Sequence, residues 1–320
     1  MATRVARSLS YWNLSTLKWI PIPSKSASSQ VRQSQLLHGL SPTSRFSVIT
    51  WNIDALGALP VKRAKSLFEY ILEESRKPDI IFLQEVKSDV RVSLLNNPNV
   101  REAFFTTDAE DDASFEDKGF ATMTLLSSKR FAPSLDSQKE GDGVEGEEKF
   151  VVGPVSRVEL PSVFGRDGLC VDIIPPSDPA TYYRLINVHL DSLENLHTRS
   201  RQLEILANSL REPGCSGGLI AGDFNFINPG DAELIDKNGL ADAWLALHGR
   251  TDPEGPTWGV GRIRVPGLNP RRLDKVALMG WTPEEIEILH PGSVDVPVPG
   301  GDSKSLELSD HSGLKCTFTI

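Results

Sequence analysis

The sequence of 320 residues has few cysteines and no pattern that would use them. Cys170, Cys215 and Cys316 are odd in number, widely separated and form no CxxC pair, so the sequence predicts neither a disulfide framework nor a zinc site. No apolar run approaches the roughly 20 residues that a membrane-spanning helix needs. A GxSxG nucleophile elbow and a GxxxxGK[ST] phosphate loop are also missing. These absences favour a protein of a reducing compartment that uses neither a serine triad nor a Walker-type phosphate site.

The first 45 residues lack acidic side chains. This segment carries six basic residues: Arg4, Arg7, Lys18, Lys25, Arg32 and Arg45. We interpret residues 1–45 as a basic leader, either flexible or a mitochondrial targeting segment, although Tyr11-Trp12 and Trp19-Ile20-Pro21 are apolar enough to dock. Residues 46–320 are interpreted as one catalytic domain. An intracellular location follows, with the nucleus favoured and the mitochondrion as the alternative; a secretory signal is absent.

The remainder of the chain is acidic, because the whole chain has a net charge of −9. Such a body does not suit a protein that coats long duplex DNA, since that requires many basic contacts. One stretch, Arg262 to Lys275, is locally basic and is either a solvated loop or a ridge that grips phosphate. Two further stretches predict irregular structure: Ser134–Lys149 as an acidic surface insertion, and Pro291–Lys304 as a long connection, with a lid as the alternative.

Hydrophobic patterns predict many strands and few helices. A helix is expected from Val61 to Leu72 and another around Leu203–Leu210. The predicted strands are Phe46–Thr50, Asp79–Val86, Phe120–Leu126, Val151–Leu160, Leu169–Ile174, Tyr182–Ile186, Gly218–Ala221, Leu273–Met279 and Gly313–Phe318. Two packed sheets with helices outside fit this pattern better than a simple βαβ repeat.

Five short polar clusters occur at the ends of these strands. They are Thr50-Trp51-Asn52-Ile53-Asp54, Gln84-Glu85, Asn187-Val188-His189-Leu190-Asp191-Ser192, Gly222-Asp223-Phe224-Asn225 and Ser309-Asp310-His311. Carboxylates, carboxamides and histidines held at rigid strand ends are the groups that a metal-assisted phosphoester hydrolase needs.

The clusters suggest a division of labour among their side chains. Glu85 ends an apolar strand, where a carboxylate is costly unless it binds or pairs, so Glu85 and Asp54 are the candidate ligands of Mg²⁺, for which Mn²⁺ could substitute. Asp223 would accept a proton from water while Asn225 orients that water. Asn52 would donate to a phosphoryl oxygen.

Histidines supply the remaining candidate groups. A charged His311 would stabilise the transition state, held by the carboxylate of Asp274, with Asp310 as a second acid near the metal. His189 would donate to the phosphate from its own strand end.

Taken together, these clusters resemble those of the endonuclease/exonuclease/phosphatase superfamily, over roughly Phe46 to Ile320. Within it, the motifs are most similar to the tyrosyl-DNA phosphodiesterase 2 branch. The resemblance rests on Thr50–Asp54, Phe82–Val86, His189–Ser192, Pro256–Trp258, Arg272–Lys275 and Ser309–Leu314. It implies an α/β fold, a four-layer sandwich of two mixed β-sheets packed face to face with helices outside.

The resemblance also implies hydrolysis of 5′-phosphotyrosyl bonds on DNA, as left by topoisomerase 2, with single-stranded or frayed DNA 5′ ends as partners. Arg166, His189, Ser192 and Trp258 would bind that substrate. Four positions depart from the branch: Asp191, Phe224, Lys275 and Ser312 stand where it has glutamate, threonine, arginine and tryptophan. Another metal-dependent nuclease or phosphatase of the superfamily therefore stays open, as does a catalytically silent adaptor with this fold.

Overall fold

The computed structural model describes residues 3–23, 44–73, 75–116, 118–133, 149–249, 255–260, 269–290, 292–297 and 302–320. The strands are β1 (Arg4–Arg7), β2 (Leu9–Asn13), β3 (Lys18–Pro21), β4 (Arg45–Asn52), β5 (Ile80–Val86), β6 (Phe104–Thr107), β7 (Ala121–Ser127), β8 (Phe131–Ala132), β9 (Phe150–Glu159), β10 (Asp167–Ile174), β11 (Tyr182–His189), β12 (Cys215–Asp223), β13 (Ala241–Asp242), β14 (Asp274–Met279), β15 (Thr282–Leu289), β16 (Ser293–Pro297), β17 (Ser303–Glu307) and β18 (Gly313–Thr319). The helices are α1 (Pro60–Ile71), α2 (Ser88–Leu95), α3 (Pro98–Ala103), α4 (Leu196–Ser209), α5 (Leu234–Lys237) and α6 (Ala243–His248), with a 3₁₀ turn at Pro229–Glu233.

Two mixed sheets contain most of the strands. The first sheet has the order β1-β9-β10-β11-β12-β14-β13, with β8 beside β9, and the second has the order β15-β18-β4-β5-β7-β6-β2-β3. Each sheet has one central parallel pair, β11 with β12 and β4 with β5, among antiparallel neighbours. Strands β16 and β17 form a separate hairpin.

The sheets pack face to face because their central strands are apolar on both sides. In β4, Phe46 and Val48 join the core between the sheets, whereas Ile49 and Trp51 join the outer core beneath α1 to α3. Helix α4 and its neighbours cover the outer face of the first sheet through a third apolar cluster. Burial on both faces explains the near-continuous apolar runs of these strands. The predicted four-layer sandwich is confirmed.

The first part of the basic leader belongs to the sheets. Strand β1 pairs with β9 at the edge of the first sheet, and β2 pairs with β6 in the second. Trp19 Nε1 donates to the carbonyl of Leu95 at 3.3 Å, which fixes β3 on the outer core. The segment from Arg4 to Pro21 is therefore ordered, unlike a flexible leader, while residues 24–43 lie outside the described part. The boundary at residue 46 and the targeting role stay predictions.

Two other predicted irregular stretches can be compared with the structure. Pro291–Lys304 was expected to be a plain connection, but it contains β16 and the start of β17. The acidic insertion at Ser134–Lys149 lies outside the described residues apart from Lys149. Among the helices that the structure describes, none has the length and apolar character needed to cross a membrane.

Candidate active site

Two parallel strand pairs, β4 with β5 and β11 with β12, end at one edge of the sandwich and bring the predicted polar residues together. In the second sheet Asn52 lies opposite Gln84, and in the first sheet His189 lies opposite Asp223. The carboxamide of Asn52 joins the two sheets: Nδ2 donates to Glu85 Oε1 at 3.2 Å and to Asp223 Oδ2 at 3.1 Å. Strand ends of both sheets therefore build a single site.

Asp223 lies at the centre of this site and is buried. Burial raises the pKa of Asp223 to about 7, against the opposing effect of the His311 charge. The preceding residue must be glycine, because Gly222 has a φ of +144° and a Cβ there would lie 1.9 Å from the carbonyl oxygen of Val188. A buried carboxylate with a pKa near neutrality suits a general base.

Asn225 contacts Asp223 through its backbone. Its N–H donates to Asp223 Oδ1 at 2.9 Å, and its Nδ2 donates to the carbonyl of Leu190 at 3.1 Å. The residue has a φ of 52°, so the backbone at Asn225 is left-handed and not extended. Asn225 thereby holds the orientation of the Asp223 carboxylate, and its proposed role in orienting water stays a prediction.

His311 and Asp274 form a buried ion pair. His311 Nδ1 lies 2.8 Å from Asp274 Oδ2. Burial opposes the charge of His311, but the carboxylates of Asp274 and Asp223 outweigh that effect and raise the pKa of His311 to about 10. The hydroxyl of Thr257 accepts the N–H of Asp274 at 3.0 Å and fixes the start of β14. The carboxylates of Asp274 and Asp223 favour a charged imidazole at neutral pH, and the catalytic role of His311 stays a prediction.

His189 has the opposite electrostatic character. Its Nε2 lies 3.4 Å from Asp223 Oδ2. Burial, together with the charges of Arg166 and His311, lowers the pKa of His189 well below its usual value. The ring of Phe120 stacks on it with 5.7 Å between centroids. His189 is thus a neutral hydrogen-bond group on one wall of the site.

Carboxylates around Glu85 provide a chemically suitable place for a divalent cation. Glu85 Oε2 accepts the N–H of Ala55 at 2.9 Å. Burial raises the pKa of Glu85, against the hydrogen bonds from Ala55 and Asn52 and the charge of His311, while the charge of Asp310 adds a smaller raising effect. Carboxylate oxygens such as these are the ligands that Mg²⁺-like ions prefer. Asp223, Asp274 and His311 also offer ligand atoms within 4.8 Å of one another, but a protonated imidazole has no lone pair for a metal.

The side chain of Asp54 is engaged elsewhere. Its Oδ1 accepts the N–H groups of Leu56 and Gly57, at 3.2 and 2.9 Å, and its Oδ2 lies 3.6 Å from Arg63 Nη1. The backbone N–H of Asp54 donates to Asn52 Oδ1 at 3.0 Å. Asp54 therefore orients Asn52 through its backbone, and its role as a metal ligand stays a prediction.

Arg166, a predicted substrate-binding residue, lies beside the site and lines a cavity with His189. Arg166 lies over the ring of Phe120 at 5.1 Å, and the charges of Asp223 and Glu85 act on its guanidinium. With His189 and Phe120 it lines a cavity of about 560 Å³. We call this cavity, which Arg166, Phe120 and His189 line, the aryl cavity.

Of the other two predicted substrate-binding residues, Trp258 borders the site and Ser192 has no described contact in it. Trp258 Nε1 donates to Asp310 Oδ2 at 3.0 Å, so this partly buried ring borders the site. Ser192 has one hydrogen bond described, through its carbonyl oxygen to Asn195 Nδ2 at 2.7 Å. None of the described contacts brings Ser192 into the site.

In the described part of the basic stretch from Arg262 to Lys275, the side chains do not form an exposed surface for binding phosphate. Arg272 Nη2 lies 2.9 Å from Asp242 Oδ2, and Lys275 Nζ lies 3.7 Å from the same oxygen. Burial lowers the pKa of Lys275 to about 8. Arg262 and Arg264 lie outside the described residues. At its C-terminal end, therefore, this stretch is paired inside the fold.

Sequence reasoning assigned no role to two groups that hold the site together. Gln84 Nε2 donates to Asn187 Oδ1 at 2.8 Å and links the sheets just beneath the site. Arg63 of α1 is buried and donates to the carbonyls of Ile53 and Leu308, at 3.2 and 2.7 Å. A polar residue within a strand core signals the first group; nothing in the sequence distinguishes Arg63 from a surface arginine.

The profile of the endonuclease/exonuclease/phosphatase family matches residues 49–311. The chain belongs to this family, and the site is that of a metal-dependent phosphoester hydrolase. A comparison with curated protein sequences gave no match.

Solved structures show the same fold. TDP2 of D. rerio, complexed with single-strand DNA product, has a TM-score of 0.61 at 22% identity over 87% of this chain and 100% of that chain. TDP2 of C. elegans has a TM-score of 0.60 at 19% identity, over 86% and 75% of the two chains. The human Nocturnin catalytic domain with bound sulfate has a TM-score of 0.54 at 18% identity, over 86% and 94%. At these identities the likeness concerns the fold.

Proposed function

We propose that this chain is a Mg²⁺-dependent phosphodiesterase that hydrolyses 5′-phosphotyrosyl bonds on DNA ends, the lesion left by topoisomerase 2. The observation that carries the substrate assignment is the aryl cavity beside His189. An arginine over an aromatic ring, next to the reacting groups, suits a flat aromatic leaving group. The single-strand DNA product in the D. rerio structure supports DNA as the second group attached to the scissile phosphate.

The site provides a base and three donors around one point. Asn52 Nδ2, His189 Nε2 and His311 Nε2 lie 3.1, 3.4 and 3.9 Å from Asp223 Oδ2. Asp223 accepts the proton of the attacking water. The three donors stabilise the charge that develops on the phosphoryl oxygens, with His311 contributing a full positive charge.

The leaving group needs little help in this reaction. The phenol of tyrosine has a pKa of about 10, so the phenolate departs without a strong general acid. A divalent ion at Glu85, beside Asn52, would neutralise phosphoryl oxygens when bound. Arg166 is placed to hold the aromatic ring as it leaves.

The test is Mg²⁺-dependent release of tyrosine from a 5′-phosphotyrosyl oligonucleotide, run beside a plain duplex, an abasic duplex and an inositol phosphate. We expect selective cleavage of the first substrate. The isosteric Asp223→Asn variant should lose about 10³-fold in kcat, whereas Asp236→Asn on the exposed surface of α5 should keep the parental rate. Preferential cleavage of one of the other esters would move the chain to another activity of the family.

A further inference from the structure

The loop between β9 and β10, residues 160–166, forms one wall of the aryl cavity. Phe164 and Arg166 of this loop line the cavity, and the Arg166 guanidinium lies 5.1 Å from the ring centroid of Phe120. Phe120 directly precedes β7 of the second sheet, whereas the loop joins two strands of the first. The place of the arginine over the ring therefore depends on what holds the loop.

Apolar packing contributes little to the position of residues 162–166. Val163 and Phe164 are exposed, with 70% and 42% of their surface accessible. Side chains that stay in water gain little of the free energy that burial provides. The position of these residues therefore depends mainly on hydrogen bonds.

Asp191, which follows β11 and is fully buried, binds the loop through both oxygens of its carboxylate. Its Oδ2 accepts the N–H of Val163 at 2.8 Å, and its Oδ1 accepts the hydroxyl of Ser162. Ser162 Oγ in turn accepts the N–H groups of Phe164 and Arg166, at 3.0 and 2.9 Å. Two successive hydrogen bonds thus connect the Asp191 carboxylate to the backbone of Arg166.

The carboxylate of Asp191 is itself held by Gln202 of α4. Gln202 Nε2 donates to Asp191 Oδ1 at 3.0 Å and to the carbonyl of Pro161 at 2.9 Å. Gln202 Oε1 accepts the N–H of Asp191 at 3.0 Å, and the glutamine is buried. A side chain that is locked in this way can fix the groups that it binds. Helix α4 therefore anchors the loop through Asp191.

We propose that Asp191 is a positioning residue for the leaving-group side of the reaction, which acts through Ser162 to hold the loop and keep Arg166 in the wall of the aryl cavity. This inference rests on the proposed function, because it concerns the cavity for the aromatic leaving group. When the anchor is lost, the loop moves and the guanidinium no longer covers an aryl group. The groups around Asp223 Oδ2 lie at strand ends and not on this loop, so phosphate binding is kept.

Two substitutions remove the anchor in different ways. Asp191→Asn keeps the shape of the side chain but brings an NH₂ group against the N–H and O–H donors of the loop. Ser162→Ala removes the hydroxyl that binds the N–H of Arg166, and it leaves the charge of Asp191, which also acts on the Arg166 guanidinium. Ser162→Thr keeps a hydroxyl and is the conservative variant. Asp236→Asn on α5 and Ser15→Ala in the turn before β3, both at exposed positions, are the matched controls.

The test measures the binding of phenyl phosphate and of inorganic phosphate to the full chain by calorimetry, with Mg²⁺ and in an Asp223→Asn background that prevents hydrolysis. Only the first probe has an aromatic group. Asp191→Asn and Ser162→Ala should each weaken phenyl phosphate about tenfold and leave the affinity for inorganic phosphate unchanged, whereas Ser162→Thr should bind both as the parental protein does. The double variant should be no weaker than Asp191→Asn alone, because both changes act through one loop.

Hydrogen exchange shows where the structure loosens. The amides of Val163 and Arg166 should exchange about tenfold faster in Asp191→Asn, while those of β11 and β12 keep the parental rates. Loss of protection in these strands as well would mean that Asp191 supports the whole fold and has no particular role at the cavity.

Three binding results would also overturn the positioning role. They are an unchanged affinity for phenyl phosphate in both variants, an equal loss for both probes, and losses that add in the double variant. If Asp191→Asn fails to fold, Ser162→Ala with its threonine counterpart decides the outcome. Selective loss of phenyl phosphate without cleavage of phosphotyrosyl DNA would keep the positioning role and reject the proposed function. Cleavage of that DNA with unaltered binding of phenyl phosphate in both variants would do the reverse.

Discussion

The imidazole of His311 is bonded through Nδ1 to Asp274 Oδ2 at 2.8 Å, and this bond directs its Nε2 toward Asp223, 3.9 Å away. Asp274 belongs to the first sheet, whereas His311 lies two residues before β18 of the second. The pair therefore ties the charge state of the site to the packing of the two sheets. His311 keeps its proton because two carboxylates surround it.

We expect a bell-shaped dependence of kcat/KM on pH. Activity should rise as Asp223 loses its proton, with a pKa of about 7, and should fall as His311 loses its proton, with a pKa of about 10. Steady-state cleavage of a phosphotyrosyl oligonucleotide across both values would measure the profile. A rate that stays constant through the upper value would show that the charge on His311 is not needed.

Asp274→Asn should move the falling limb of that profile to lower pH. The carboxylate of Asp274 is the largest of the effects that raise the pKa of His311, so a carboxamide lets the imidazole lose its proton earlier. Stability should change as well. In the parental protein, the raised pKa of His311 stabilises the fold fully below its unfolded value of 6.5, and that contribution is lost as pH rises toward about 10. The variant should show a smaller loss over this range.

The measurement for Asp274→Asn combines the kinetic pH profile with urea unfolding at several pH values. Asp178→Asn, in the exposed turn before β11, is the control for a lost surface carboxylate. If Asp274→Asn lowers kcat by the same factor at every pH, Asp274 supports the fold and does not set the charge of His311.

The strand-end clusters could be predicted because each follows an apolar run whose ends are visible in the sequence. Asn52, His189 and Asp223 end strands close to the predicted positions, Glu85 is the second-last residue of β5, and His311 lies two residues before β18. Their convergence follows from strand topology, since parallel neighbours end at the same edge. The fold class was predictable for the same reason, and the resemblance supplied the arrangement in four layers.

Contacts between residues that are distant in the chain could not be predicted from the sequence. Strands β1 to β3 are short and carry mixed polarity, so only their pairing with β9 and β6 defines them. Phe120 reads as an ordinary apolar residue until its ring is found against His189. The contacts of the Asp54 carboxylate with Arg63, Leu56 and Gly57 are equally invisible in the sequence. Each of these contacts depends on the direction in which a side chain points, and the local sequence pattern does not show that direction.

Glu85→Gln should remove the stabilisation of the protein by Mg²⁺. A ligand that binds only the folded state raises the melting temperature with increasing concentration. Glu85 is the candidate ligand whose carboxylate lies beside Asn52 in the site. Melting curves with and without Mg²⁺ would measure the effect, with Glu204→Gln on α4 as the control. A Mg²⁺-dependent shift that persists in Glu85→Gln and disappears in Asp54→Asn would assign the metal to Asp54.

Arg63→Lys should lower both stability and turnover although Arg63 touches none of the reacting groups. The guanidinium donates to the carbonyls of Ile53 and Leu308 and so joins the segment after Asn52 to the segment before His311. A lysine cannot reach both with fixed geometry, and each buried carbonyl left unpaired costs about 1–3 kcal/mol. We expect the free energy of unfolding to fall by about 3 kcal/mol and kcat to fall by about 10²-fold, with KM nearly unchanged. Arg201→Lys, an exposed arginine on α4, should alter neither quantity. Urea unfolding and steady-state kinetics measure the two effects, and a loss of stability with parental kcat would limit Arg63 to a purely structural role.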